Sequence, residues 1–389
     1  MNFSNYQNSD DNPVRATLAN WRTSPSSKWA FHNVREIVPS AEILNNPKAI
    51  WRLRKIPPTF DTETLTSLID KTSTDAVVVV HNSEIVFETY RNGMKPLDQH
   101  ILFSVSKSVL GLIAGCLIKD NYIKECDLIT DYIPEMTKTA FVGATIRDAL
   151  DMRIGVDFDE DYNAQDGPII DYRYATNWNP TPDSKVKTNL KNFLTSLTKS
   201  KGAHGKQLNY VSPSTDLLAW LFERASNRRY TNLVSDYIWK PMGAERSAYI
   251  TVDRIGSARA AGGICATARD LARLGMVVAK GGILGSKQIV PTEWIDDLFE
   301  GGSRAAWDNG SFKDFFSSTA RQYRSKWYAC NENGKLLHGF GIHGQYLFVD
   351  LEKKLSIAWF SSEEDALNEH STQKILTMVD HIRKAVPEA

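Results

Sequence analysis

The sequence of 389 residues contains no run of about eighteen apolar residues, so it offers no segment that reads as a membrane span. It has no excess of charge. Its 46 Lys and Arg balance 46 Asp and Glu, which leaves no basic stripe for nucleic acid and no acidic tail. Cysteine is sparse: Cys116, Cys126, Cys265 and Cys330 lack the spacing of a metal site or a redox pair. They read as reduced thiols of a cytoplasmic protein. The first eleven residues, Met1 to Asp11, lack the basic and apolar regions of a secretory leader, which points the same way. No phosphate loop, dinucleotide fingerprint, internal repeat or low-complexity tract occurs. Neither a cofactor nor a metal is expected.

What the chain does have is Ser104-Val105-Ser106-Lys107 at the head of an apolar run from Val109 to Ile118. That run is too apolar for a surface helix and predicts a buried one. Residues three apart share a helix face, so Ser104 and Lys107 meet at its first turn, where free backbone N–H groups and partial positive charge gather. A serine needs a base to become a nucleophile, and a desolvated lysine is such a base. The S-x-x-K pattern alone is weak. It recurs at Ser184–Lys187, Ser196–Lys199 and Ser371–Lys374, and about two copies are expected by chance. Only Ser104 follows a strand-like end, Ile101-Leu102-Phe103, and opens a buried helix. Local context serves a capping serine and a snorkelling lysine equally well.

Strand-like runs occur at Asp75–His81 and Glu84–Tyr90, joined by a turn at His81-Asn82-Ser83, and again at Ser325–Cys330, Gly344–Val349 and Leu355–Ser361. Helical patterns occupy Ile146–Leu150, Leu190–Leu197, Thr215–Ala225 and Asn232–Trp239. A threonine-capped helix follows Gly262-Gly263, and Leu367–Val386 closes the chain. Asp157–Asp183, dense in Asp, Tyr, Asn, Trp and Pro, reads as a long functional loop. Residues 1–60 read as an irregular arm with a short helix near Val14–Trp21. Strands at both ends with helices between predict an α/β (α+β) chain. In this division, residues 61–123 and 251–389 build an antiparallel sheet flanked by helices. Residues 124–250 form an inserted, mostly helical domain with a lid loop. The site then lies in the cleft between them.

Two further elements follow Ser104 and Lys107 in order. Asn209-Tyr210-Val211-Ser212 precedes a helix, and Gly339-Phe340-Gly341-Ile342-His343-Gly344-Gln345 lies near the C-terminus. With Asp151-Met152-Arg153-Ile154, Asp159-Glu160-Asp161-Tyr162, Thr215–Trp220 and Gly262–Arg273, this order resembles the serine β-lactamase and penicillin-binding-protein superfamily. Within it, the chain is most similar to class C-shaped carboxylesterases and, closest, to the 6-aminohexanoate-dimer (nylon oligomer) hydrolases. The likeness runs from about Trp29 onward and implies a β-lactamase/transpeptidase-like fold. The chain departs from the superfamily in having Ser212 where many members have asparagine. It also has Gly339-Phe340-Gly341 where they have K-T-G, which argues against β-lactam antibiotics as the main substrate.

The resemblance implies a serine hydrolase of a small amide or ester, with no nucleic-acid or membrane partner, acting as a monomer or homodimer. The activity the resemblance implies is cleavage of the linear 6-aminohexanoate dimer and of short-chain esters through an acyl-enzyme. The alternatives are a carboxylesterase, a D-amino-acid peptidase, or a penicillin-recognising scaffold that does not turn over. Ser104 is the implied nucleophile, Lys107 its base, and Tyr210 the relay to the leaving group. The N–H groups of Ser104 and Ile342 form the oxyanion hole. Glycines at 339 and 341 let substrate approach their strand. Tyr162 is implied as a lid tyrosine that aids amide more than ester cleavage. Ser212 polarises Lys107 or Tyr210, or is a turn serine before Pro213. Gly341, His343 and Trp327 complete the assigned substrate pocket, although His343 is more simply a strand-end histidine. His370 is a weaker pocket candidate. Asp161 and Asp166 attract a substrate ammonium or are merely solvated.

Overall fold

The computed structural model describes residues 16–316, 320–330 and 334–388. Its strands run β1 (Ser40–Ile43), β2 (Arg54–Lys55), β3 (Thr74–His81), β4 (Glu84–Tyr90), β5 (His100–Ile101), β6 (Ala248–Thr251) and β7 (Ile264–Ala266). They continue as β8 (Ile283–Leu284), β9 (Lys287–Gln288), β10 (Gln322–Arg324), β11 (Trp327–Cys330), β12 (Leu336–Gly341), β13 (Gln345–Asp350) and β14 (Leu355–Ser361).

Every residue of β3 is buried. Its Ala76-Val77-Val78-Val79-Val80 run is therefore continuous rather than alternating, as befits a strand covered on both faces. Asn82 and Ser83 take φ of 48° and 73°, the left-handed pair that closes a tight hairpin between β3 and β4. On its other edge β3 pairs antiparallel with β14, from Leu355 opposite His81 to Ser361 opposite Thr74. The main sheet has the order β10-β11-β12-β13-β14-β3-β4-β2, so strands from both ends of the chain share it. Only β2 joins in parallel.

A smaller sheet has the order β1-β6-β7-β5. The arm is thus less irregular than expected, since β1 and β2 each extend a sheet and Ile43 enters the core. The helix expected near Val14–Trp21 is not found where it can be judged. Residues 14 and 15 lie outside the described residues. From Thr17 the chain turns, with the Thr17 carbonyl accepting from the N–H groups of Asn20 and Trp21. The helix follows at Ser26–Ala30.

The helix Val105–Lys119 is buried from Val105 to Leu117, as its all-round apolarity demands. It packs against β12 and the helix Ser212–Ser226. Thr267 caps the helix Ala268–Ala279, which covers β3, β13 and β14. The segment Asp157–Asp183 is only partly loop. Pro168 starts a helix to Ala175 that buries Ile169, Ile170, Tyr172 and Ala175. Among the described residues, no helix is long and apolar enough to cross a membrane.

Candidate active site

Ser104 occupies the N-cap position of the Val105–Lys119 helix. The preceding Phe103 has φ +42°, a conformation that costs a bulky side chain about 1–3 kcal/mol and recurs at functional turns. One turn on, Lys107 Nζ lies 2.6 Å from Ser104 Oγ and donates to the Ala261 carbonyl at 2.7 Å. Lys107 is 1% exposed. Burial lowers its pKa to about 7, while Glu160 and Asp216 oppose that shift and Arg259 reinforces it. A lysine so placed is substantially neutral near pH 7 and can take a proton from Ser104.

Tyr210 comes from the segment leading into the Ser212–Ser226 helix. The Ser104 and Tyr328 side chains are close enough to favour its phenolate, though more weakly than burial opposes it. Lys107 Nζ sits 5.0 Å from the centre of its ring. Burial foremost, then the nearby Glu160, raise the Tyr210 pKa, so it remains a protonated donor. The structure thus brings Ser104, Lys107 and Tyr210 together.

Ser212 turns elsewhere. Its N–H donates to Glu160 Oε2 at 2.9 Å.

The end of β12 abuts Ser104 from the other side. A Cβ on Gly341 would stand 2.5 Å from the Leu102 carbonyl oxygen and 3.0 Å from the Ser104 nitrogen, so only glycine fits. Gly339 serves packing instead of substrate approach, because its missing Cβ would stand 2.7 Å from Ser108 Oγ. Ile342 lines the cavity at Ser104. Neither the Ser104 N–H nor the Ile342 N–H donates to another described residue.

His343 is structural. Its Nδ1 donates to the Glu363 carbonyl at 2.8 Å, and its ring packs between Phe31 and Phe103. Burial pushes its pKa down to about 4. Trp327 is not a pocket residue. It is fully buried, with its indole N–H on the Ser108 carbonyl at 3.2 Å, and so braces the helix behind Ser104. His370, Asp161 and Asp166 are exposed and do not line the cavity.

Tyr162 does line the cavity, together with Arg22, Phe103, Glu160, Ile169, Tyr172, Arg173, Trp178 and Arg259. The enclosed and mouth space amounts to about 410 Å³. The polar residues here were not expected from sequence. Asp216 pairs with Arg259, and both contact the Tyr172 hydroxyl. The other Asp216 oxygen accepts the Ala261 N–H at 2.8 Å. Ala261 therefore has its N–H fixed by Asp216 while its carbonyl receives Lys107. Glu160 and Asp216 sat in segments that carried the family likeness. Nothing in local spacing assigned them a task.

This geometry, a serine on a buried helix with a lysine one turn along and a tyrosine across the cleft, defines a hydrolase of the β-lactamase superfamily. The "Beta-lactamase" family model matches residues 64–377. The chain is 34% identical over 361 residues to the 6-aminohexanoate-dimer hydrolase of Paenarthrobacter ureafaciens, covering 91% of this chain and 90% of that one. It therefore belongs to the β-lactamase family. A Bacillus anthracis structure, provisionally named a 6-aminohexanoate-dimer hydrolase, superposes with a TM-score of 0.83 at 26% identity, covering 95% and 98% of the two chains. A family VIII carboxylesterase shares the fold, with a TM-score of 0.62 at 12% identity over 86% of this chain and 99% of that one.

Proposed function

We propose that this hydrolase acts through an acyl-enzyme on Ser104, cleaving the amide bond of the linear 6-aminohexanoate dimer as well as short-chain esters. The observation that carries this reading is the 2.6 Å approach of a buried lysine, its pKa lowered to about 7, to the serine hydroxyl. Ser104 Oγ attacks the carbonyl carbon as neutral Lys107 takes its proton. The oxygen charge that develops is received by the N–H groups of Ser104 and Ile342. The proton reaches the leaving nitrogen through the Tyr210 hydroxyl as the C–N bond breaks. Water then attacks the acyl carbon, giving its proton to the same base, which returns it to Ser104 Oγ as the acyl–oxygen bond breaks and the acid leaves. Tyr162, above the same cavity, assists amide cleavage in particular.

The name of the 34%-identical relative supports the dimer as substrate. Four free cysteines suit a reducing, cytoplasmic compartment, and we assign the working form to a monomer or homodimer.

The test is amine release from the linear dimer beside p-nitrophenyl butyrate hydrolysis, with Ser104→Ala as control. Dimer cleavage lost in the variant is the expected result. Ester cleavage alone would move the assignment to carboxylesterase. Activity retained in Ser104→Ala would overturn the mechanism.

A further inference from the structure

Three guanidinium groups face the one small cavity at Ser104: Arg22, Arg173 and Arg259. Arg259 has its counter-charge in Asp216. Among the described residues, the other two have no ion-pair partner. Arg22 Nη2 donates to the Asn179 side-chain oxygen, and Arg173 Nη2 to the Tyr162 carbonyl at 3.0 Å, both neutral acceptors. Arg22 Nε is buried without a partner.

The surroundings are otherwise aromatic. The Arg22 guanidinium sits 5.4 Å from the Trp21 ring and Arg259 sits 5.0 Å from the Trp178 ring. Taking cations out of water against such walls is costly unless an anion meets them. The repulsion is evident in Arg22, whose pKa is lowered to about 9 by burial and then by Arg173 and Arg259.

Among the described residues, the one carboxyl in the lining is Glu160. It and Asp161 attract Arg173, which softens the imbalance. Burial nevertheless holds Glu160 toward its neutral acid, and one of its oxygens is occupied by the Ser212 N–H. His343, also near Arg22 and Arg173, is neutral and supplies no negative charge.

We propose that Arg22 and Arg173 form a carboxylate-binding subsite beside the nucleophile, so that the preferred substrates carry a carboxylate near the scissile bond. The subsite rests on the serine-hydrolase reading above and names its substrate class. A planar guanidinium offers parallel N–H donors matched to a carboxylate, and two of them lining one cavity would hold it beside Ser104. An ammonium group would meet only Glu160, one of whose oxygens already accepts the Ser212 N–H, because Asp161 and Asp166 lie outside the cavity.

The carboxylate belongs either to the acyl part or to the leaving part. Two matched pairs separate these sources. For the acyl part, glutaryl-p-nitroanilide is compared with pentanoyl-p-nitroanilide. For the leaving part, the linear 6-aminohexanoate dimer is compared with its C-terminal carboxamide. In the wild-type chain the anionic member of at least one pair should show a kcat/KM about tenfold or more higher, mostly through KM. That preference should fall by about tenfold in Arg22→Gln and in Arg173→Gln. Competition on the wild-type chain keeps the test independent of whether the variants fold. Glutarate should inhibit p-nitrophenyl butyrate hydrolysis at concentrations where glutaramide does not. Equal or reversed preference in both pairs would overturn the subsite, as would a preference that survives both substitutions or equal inhibition by glutarate and glutaramide. The Ser104→Ala control on the neutral ester reports the nucleophile separately, so the two readings fail by different results.

Discussion

Lys107 is held where an ammonium ion is costly, and that cost suits it to the proposed role of base. As pH rises through about 7 it loses its proton and gains the lone pair that Ser104 needs. For a neutral p-nitrophenyl ester, kcat/KM should therefore climb with pH and level off above about 7. A flat profile across that range would remove Lys107 from the base role. The same shift bears on stability. Because the folded pKa lies below the unfolded value of about 10.4, the unfolded state binds more protons between about pH 7 and 10. The penalty is full below pH 7 and fades as pH rises toward 10. Lys107→Met should then lose about a thousandfold in hydrolysis while its melting temperature at pH 7 stays level or rises. A marked drop in melting temperature would show that the lysine stabilises the fold after all.

Tyr210→Phe keeps the ring beside Lys107 and removes only the proton donor. Amide cleavage should fall about a hundredfold, and p-nitrophenyl ester cleavage much less, because a nitrophenolate leaves unassisted. Equal losses on both substrates would contradict the relay.

Ser104 and Lys107 stood out in sequence because their spacing puts them on one turn at the start of a buried helix, and Tyr210 was named only through the family resemblance. Trp327 misled for the opposite reason. A tryptophan in a strand says that it is packed, not which side it packs against, and here it packs against Ser108.

At the scale of elements, the helix Ser212–Ser226 meets the loop before β7 through one carboxylate. Asp216 holds the Ala261 N–H and the Arg259 guanidinium, and the Ala261 carbonyl holds Lys107. Asp216→Asn leaves Arg259 buried without a charge partner. It should destabilise the chain by about 3–5 kcal/mol and depress ester turnover by loosening the lysine. Urea unfolding followed by fluorescence checks the first effect, and kcat at a permissive temperature the second. An unchanged urea midpoint would mean that the pair contributes nothing net. None of this was legible in sequence. Residues 172, 216 and 259 share no local pattern, and only the packing of three separate elements brings them together. The helix Pro168–Ala175 had a fainter trace. Gly167-Pro168 marks a helix start, and Ile169, Ile170, Tyr172 and Ala175 all face inward. The Asp- and Pro-rich flanks hid it.

At the scale of the molecule, β3 sits between β4, its hairpin partner, and β14, which lies about 280 residues away along the chain. The strands at either end were readable because each is short, apolar and bounded by turn residues. Their union in one sheet required only that the unpaired edge of β3 find a partner. The smaller sheet was not readable, because β5 and β7 have only two and three residues and no period to recognise. The long-range pairing has a consequence for folding. All eight residues of β3 are buried, so a chain ending at Asp350 would expose that strand's edge and the face covered by the last helix. Closing so distant a contact is slow and comes before the burial that rewards it. The helix bearing Ser104 packs on β12, so it has no finished surface to rest on until the sheet closes. A chain truncated after Asp350 should be recovered only as aggregate, and any soluble fraction should resist labelling of Ser104 by a fluorophosphonate. Soluble truncated protein labelled at the full-length rate would show that the nucleophile is assembled without β14, and that the sheet's two halves fold apart.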